Sequence, residues 1–201
     1  MILNYRTQHG TVALSRLLVI FLLLCAPAYA APLDLKTVFE NVAVTAPARV
    51  AFREERHNPM LKEPIVLTGY LEYLKPGHLR KVIETPFEES FLIADDQIEI
   101  DRDGKVRNLS LSKSKPIRAM LGGIEAILAG QTDKLDEMFN YELTGTSCSW
   151  SLRLEPRSRK ISSHLTSMLV KGDEEILSSI RVEMKKGEWS LMDILHPKAD
   201  Q

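Results

Sequence analysis

The 201-residue chain is short of several things that most functional classes require. It has two cysteines, Cys25 and Cys148, too few for a disulfide framework. Aromatic residues make up 6%, so any core must be mainly aliphatic. There is no surplus of one charge: 26 basic and 27 acidic residues leave a net charge of -1. A nucleic-acid binder needs a basic excess to displace counterions from phosphates, and that class is excluded. The five histidines, His9, His57, His78, His164 and His196, lie too far apart in sequence for two to share one helical face around zinc. Gly-x-Ser-x-Gly, a phosphate-cradling glycine loop and the dinucleotide fingerprint are all missing. Asp101, Asp103 and Gly104 open like a calcium loop, but the glutamate that should close it is absent, and Asp103-Gly104 reads more simply as a hairpin turn. No cofactor, metal site or catalytic residue is therefore expected. A hydrolase assembled from scattered Ser, His and Asp is the weakest functional reading.

A long apolar run is missing too. The longest, Leu17 to Cys25, is far short of the roughly 20 residues needed to cross a bilayer. It lies in an acid-free segment, Met1 to Ala30, that carries Arg6 and Arg16 ahead of the run and Ala28-Tyr29-Ala30 behind it. Basic start, short apolar centre and small-residue exit have the form of a secretory signal peptide, with cleavage expected between Ala30 and Ala31. Leu22-Leu23-Leu24-Cys25 imitates a lipobox, but Leu24 stands where a small residue belongs. Residues 1–30 are thus read as the signal peptide and 31–201 as one exported domain. The remainder has 201 − 30 = 171 residues, 24 basic and 27 acidic, or a charge of -3. Only Cys148 is left, so an intrachain disulfide is excluded, and Cys148 is expected as a free, packed thiol.

What is present is regular alternation. Leu33, Leu35, Val38, Phe39 and Val42 fall at helical spacing. Strands are expected over 50–57, 65–74, 79–85, 91–94, 97–101 and 106–111, separated by turn signals at Lys75-Pro76-Gly77, Asp95-Asp96 and Asp103-Gly104. The period then changes. From Pro116, Ile117, Met120, Leu121, Ile124, Ile127 and Leu128 predict an amphipathic helix to Gly130, followed by a short one over 133–139. Strands resume over 141–146, 148–155, 161–171, 176–184 and 188–194, with Lys186-Gly187 as a turn. The fold class is α+β and mainly antiparallel: an unclosed half-barrel of about ten to eleven strands with helices capping its concave face.

Two features resist a purely structural reading. Glu54 and Arg56 share a strand face with Phe52, and Lys81 shares one with Leu79 and Ile83. Either these charges enter an apolar cavity, where they must be paired, or the strands are edge-like and the charges reach water. The second feature is Gly122-Gly123 inside the central helix. The pair serves either close packing or a lid soft enough to bend over an apolar concavity.

The run Phe52-x-Glu54-x-Arg56, then Gly69-x-Leu71-x-Tyr73-x-Lys75-Pro76-Gly77-x-Leu79, Pro86 and Phe91-Leu92-Ile93-Ala94-Asp95, resembles the periplasmic outer-membrane lipoprotein carrier family (LolA-like). Ile124 to Gly130 and Trp150-x-Leu152-x-Leu154-x-Pro156 continue the match in order. The resemblance implies a non-enzymatic, monomeric periplasmic carrier that takes cargo from an inner-membrane transporter to an outer-membrane acceptor. The cargo it implies is an acylated lipoprotein, or, because the chain looks closer to a divergent branch, a glycolipid or polyene lipid. Chains would bury against Phe52, Leu71, Tyr73, Leu79, Ile83, Phe91 and Ile93 of the sheet. From the helix, Met120, Leu121, Ile124, Ile127 and Leu128 would close over them. In the family carrier an arginine before the matched proline helps latch the lid; here Lys75 replaces it, without the forked donors of a guanidinium. Lys75, Lys81, Glu54 and Arg56 are the expected latch or headgroup contacts. The alternative is a binding or sensor module that reads a partner's lipid anchor or peptide with the same concave sheet.

Overall fold

The computed structural model describes residues 33–196. The signal segment and the Ala30–Ala31 cleavage position lie outside these residues. Among those described, eleven strands form one antiparallel sheet: β1 (Ala48–His57), β2 (Ile65–Lys75), β3 (His78–Thr85), β4 (Glu89–Ala94), β5 (Gln97–Arg102), β6 (Lys105–Ser110), β7 (Phe139–Thr146), β8 (Ser149–Pro156), β9 (Leu165–Asp173), β10 (Ile176–Met184) and β11 (Trp189–Leu195). Their spatial order is 6-5-4-3-2-1-11-10-9-8-7. Two meanders are thus joined by the β1–β11 pair, and β6 and β7 remain unpaired edges. The barrel is open, as the spacing of short strands predicts.

The turns follow their chemistry. Asp95-Asp96 and Asp103-Gly104 have positive φ at both central positions, the handedness that suits the twist of two-residue hairpins. The aspartates at 101 and 103 are thereby accounted for as strand and turn, not as a calcium loop. Cys148 lies in the two-residue turn between β7 and β8 and is exposed. The expectation of a packed thiol is corrected: the strand begins one residue later, and the turn carries the side chain out of the core. The strand expected over 161–171 starts only at Leu165. Arg159–Ser162 forms a helical turn instead, in which Ser162 Oγ and Ser163 Oγ donate to the carbonyls of Arg159 and Lys160. These hydroxyls offer the backbone an alternative to the ladder.

The principal helices cover one half of the sheet. Helix α1 (Leu35–Val42) is capped by Asp34, whose carboxylate accepts from Thr37 N at 3.1 Å. Helix α2 (Lys115–Leu128) begins with Pro116 in its first turn, and α3 (Thr132–Met138) follows. The larger core gathers Phe39 of α1, Ala126 and Ile127 of α2, Leu135 of α3, and Phe139, Leu152, Leu154, Met168 and Val170 of β7 to β9. A small second core, Phe52, Leu67 and Ile83, lies under β1 to β3. Between that half of the sheet and α2 the interior is not filled.

Candidate functional site

The unfilled space is a cavity of about 710 Å³, within the usual range of roughly 300–1,000 Å³ for small-molecule sites. Sheet and helix both line it. Val50 of β1, Leu71 and Tyr73 of β2, Leu79 of β3, and Phe91 and Ile93 of β4 form one wall. Ile117, Met120, Leu121, Ile124 and Leu128 of α2 form the roof. The alternation of period two in each strand places these side chains on the concave face.

Helix α2 is apolar on two sides because it has two tasks. Ala119, Gly123, Ala126 and Ile127 are buried against the larger core, while Met120, Leu121, Ile124 and Leu128 face the cavity. Gly122-Gly123 does not break it. A Cβ on Gly123 would stand 3.1 Å from the ring of the fully buried Phe139, and one on Gly122 3.3 Å from Met138 Sδ. Close packing is therefore what the pair serves in this conformation.

Of the residues expected to contact cargo, Leu71, Tyr73, Leu79, Phe91, Ile93, Met120, Leu121, Ile124 and Leu128 line the cavity. Phe52 and Ile83 are on the same face but buried in the small core, and Ile127 lies in the larger core. Missed were Ile98 and Ile100 of β5, Leu109 of β6, and Ile180, Val182, Met192 and Ile194 of β10 and β11, which complete the wall. The period-two spacing of Ile98 with Ile100 carried that signal for β5; that of Met192 with Ile194 marks an apolar face of β11 without telling what it meets.

The inward charges are inward. Glu54 is 5% exposed at the side chain and pairs with Nζ of Lys81, which is 17% exposed. Arg56 Nη2 donates to both Glu54 oxygens at 3.4 and 3.3 Å. The pair must cross a strand to meet, since Glu54 is on β1 and Lys81 on β3. In the register, Phe52, Gly69 and Ile83 form one row across β1, β2 and β3; Glu54 lies beyond it on one side and Lys81 on the other. Gly69 leaves that row open, and Lys81 Nζ rests 4.7 Å from the Phe52 ring centre. No other residue fits at 69, because a Cβ there would come within 1.9 Å of Val82 O. Burial pushes the Lys81 ammonium below its usual range, opposed by the charge of Glu54 and its hydrogen bond. Nearby, Glu89 is buried and held by Arg102 at 2.7 Å.

The apolar end of the cavity is closed differently. Tyr73 is buried there, and its hydroxyl is pushed above the usual 10.0 by burial and then by the charge of Glu125 on α2. Lys75 is the exposed last residue of β2. An ion pair between Arg118 of α2 and Asp96 of the β4–β5 turn joins the helix to the sheet rim. Both partners are about half exposed, so the contact contributes at most about 1 kcal/mol. Among the described residues there is no cluster of metal-ligating side chains.

The family model of the outer membrane lipoprotein carrier protein LolA-like proteins matches residues 26–195. No curated protein matches significantly. Among solved structures, the chain is similar to the LolA superfamily protein NE2245 from Nitrosomonas europaea, with 10% identity, a TM-score of 0.42, and 82% of this chain and 92% of that one covered. LprF from Mycobacterium bovis gives 10% identity and a TM-score of 0.37, with 83% and 94% covered. A chain of the MucA/MucB complex from Pseudomonas aeruginosa gives 13% and 0.43, with 81% and 56% covered. With its family model spanning the open sheet, the roof helix and the cavity between them, the chain belongs to the LolA-like outer-membrane lipoprotein carrier family.

Proposed function

We propose that the protein is a periplasmic carrier that shelters the acyl or other extended apolar chains of a lipoprotein, glycolipid or polyene lipid and moves them from inner to outer membrane. In this reading the precursor is cut after Ala30, an inner-membrane transporter loads the cargo, and an outer-membrane acceptor removes it. The observation that carries the reading is the cavity, lined by aliphatic side chains of both the sheet and α2 instead of being collapsed. Each methylene buried there contributes about 0.8 kcal/mol, so one long chain supplies ample gross driving force. Nothing in such binding needs bond chemistry.

Delipidated protein titrated with the neutral fluorophore diphenylhexatriene tests this. The wild type is expected to bind it with saturable enhancement of emission. Filling the cavity from the roof with Ile124→Trp, or from the floor with Leu71→Trp, should weaken that binding about tenfold or more, through loss of apolar contact and volume. Equal binding by wild type and both variants would place the dye elsewhere and remove the support.

A further inference from the structure

We infer that the cavity is polarised along the strands and that Glu54, Arg56 and Lys81 form a recognition site for an anionic group, a phosphate or carboxylate, carried at the end of an apolar chain. The inference rests on the carrier reading and adds to it the chemical class of the cargo's head. Its basis is placement. Along β1 the concave face runs from Ala48 and Val50 through Phe52 to Glu54 and Arg56. The first of these lie beside Tyr73 and Leu71 of β2, under α2; Lys81 springs from the Leu71 row of β3 and carries its ammonium over the Phe52–Ile83 row to Glu54. Arg56 lies opposite Ser190 of β11, at the end where the lining also includes His57 and Trp189. A ligand that obeys this gradient points its chain toward Tyr73 and its head toward Arg56.

The donor count fixes the sign of the head. Lys81 carries three N–H donors and Arg56 five, while Glu54 carries no donor in its ionised form. Among the described residues, the side-chain partner of both is Glu54. The triad has two cations against one carboxylate, and the adjoining Glu89 is matched by Arg102. Donors are therefore in excess at a wall that is otherwise apolar, and a buried ammonium with spare N–H groups is costly until an acceptor meets it. Glu54 orients the two cations, much as a supporting carboxylate fixes a binding side chain, and the acceptor must come from the ligand. An oxyanion supplies it with charge-assisted bonds, which are the strong kind. Arg56, with 45% of its side chain exposed, marks the mouth through which the head remains reachable.

The test is displacement of diphenylhexatriene by dodecyl phosphate and by dodecanol, which share a chain and differ in the head. Wild type should prefer dodecyl phosphate by at least about tenfold, the factor expected of one hydrogen bond to a charged group. In Glu54→Gln/Arg56→Gln/Lys81→Met, which removes both cations and leaves no charge of the triad unmatched, the preference should fall toward unity. Lys81→Arg, which keeps the charge, should retain it, with circular dichroism verifying that each variant is folded. Equal displacement by the two amphiphiles in wild type, or a preference that survives in the folded triple variant, overturns the inference and leaves the carrier reading intact. Inorganic phosphate displacing dodecyl phosphate at equal concentration would make the triad a site for free anions and overturn it as well. If neither amphiphile displaces the dye, it is the carrier reading that fails.

Discussion

Glu54 of β1 and Lys81 of β3 meet across β2, over a row in which residue 69 has no side chain. A Cβ at 69 would come within 1.9 Å of Val82 O, beside the β2–β3 register shift between Thr68 and Gly69. Alternation of residues along β1 and β3 made it legible that Glu54, Arg56 and Lys81 share faces with Phe52 and Ile83. It could not tell core from solvent, because a period of two fixes a face and not its surroundings. Pairing across an intervening strand depends on long-range register, which no local pattern carries. Tyr73 provides the pH prediction at this level. Its hydroxyl is raised above 10.0 in the folded protein, so the folded state keeps this proton longer than the unfolded chain. Its contribution to stability is unchanged below pH 10 and is lost as the pH climbs through the folded value. Lys81 acts in the opposite sense, since its folded value lies below the usual 10.5 and its penalty is relieved as the pH rises. Comparing wild type with Tyr73→Phe cancels Lys81. The stability difference, from urea unfolding at successive pH values, should shift in favour of Tyr73→Phe above pH 10. A difference that stays flat through that range would contradict the burial and Glu125 coupling assigned to Tyr73.

Helix α2 is the element on which the site turns, since one of its faces belongs to the core and another to the cavity. The apolar stripe was readable from Ile117 to Leu128, and so was the helix. The division of that stripe was not. Ile127 reads in sequence like Ile124 and Leu128, and only the arrival of Phe139 and Leu135 from later in the chain takes it into the core. The glycine pair divides in the same way, and this gives a paired prediction. Alanine is favoured over glycine inside a helix by about 1 kcal/mol. At 122 the obstacle is the flexible end of Met138, which can yield, so Gly122→Ala should leave stability unchanged or raise it. At 123 it is the ring of the fully buried Phe139, which cannot. Overpacking there costs about 1–3 kcal/mol and outweighs the gain in propensity, so Gly123→Ala should destabilise by about 1 kcal/mol. Thermal unfolding of the two variants decides it; equal effects would mean that α2 does not pack on Phe139 as described.

For the molecule as a whole, the order of the strands explains why a cavity exists. Two meanders meet at β1–β11 and never close, since β6 and β7 stay unpaired. The helices fill the half belonging to β7 to β9, and the other half keeps its space under α2. The open sheet could be read from turn signals and evenly spaced short strands. The contributions of β10 and β11 to the wall could not, because the end of the chain returns beside its beginning only in the folded topology. A protein that leaves aliphatic side chains around unfilled space forgoes their packing unless a ligand restores it. Cavity occupancy decides the matter, and native mass spectrometry of the protein isolated gently from its own host measures it most directly. The account predicts a population heavier than the bare polypeptide by the mass of one amphiphile, released on denaturation. Protein that is consistently ligand-free, and that also takes up no acylated probe added afterwards, would contradict it.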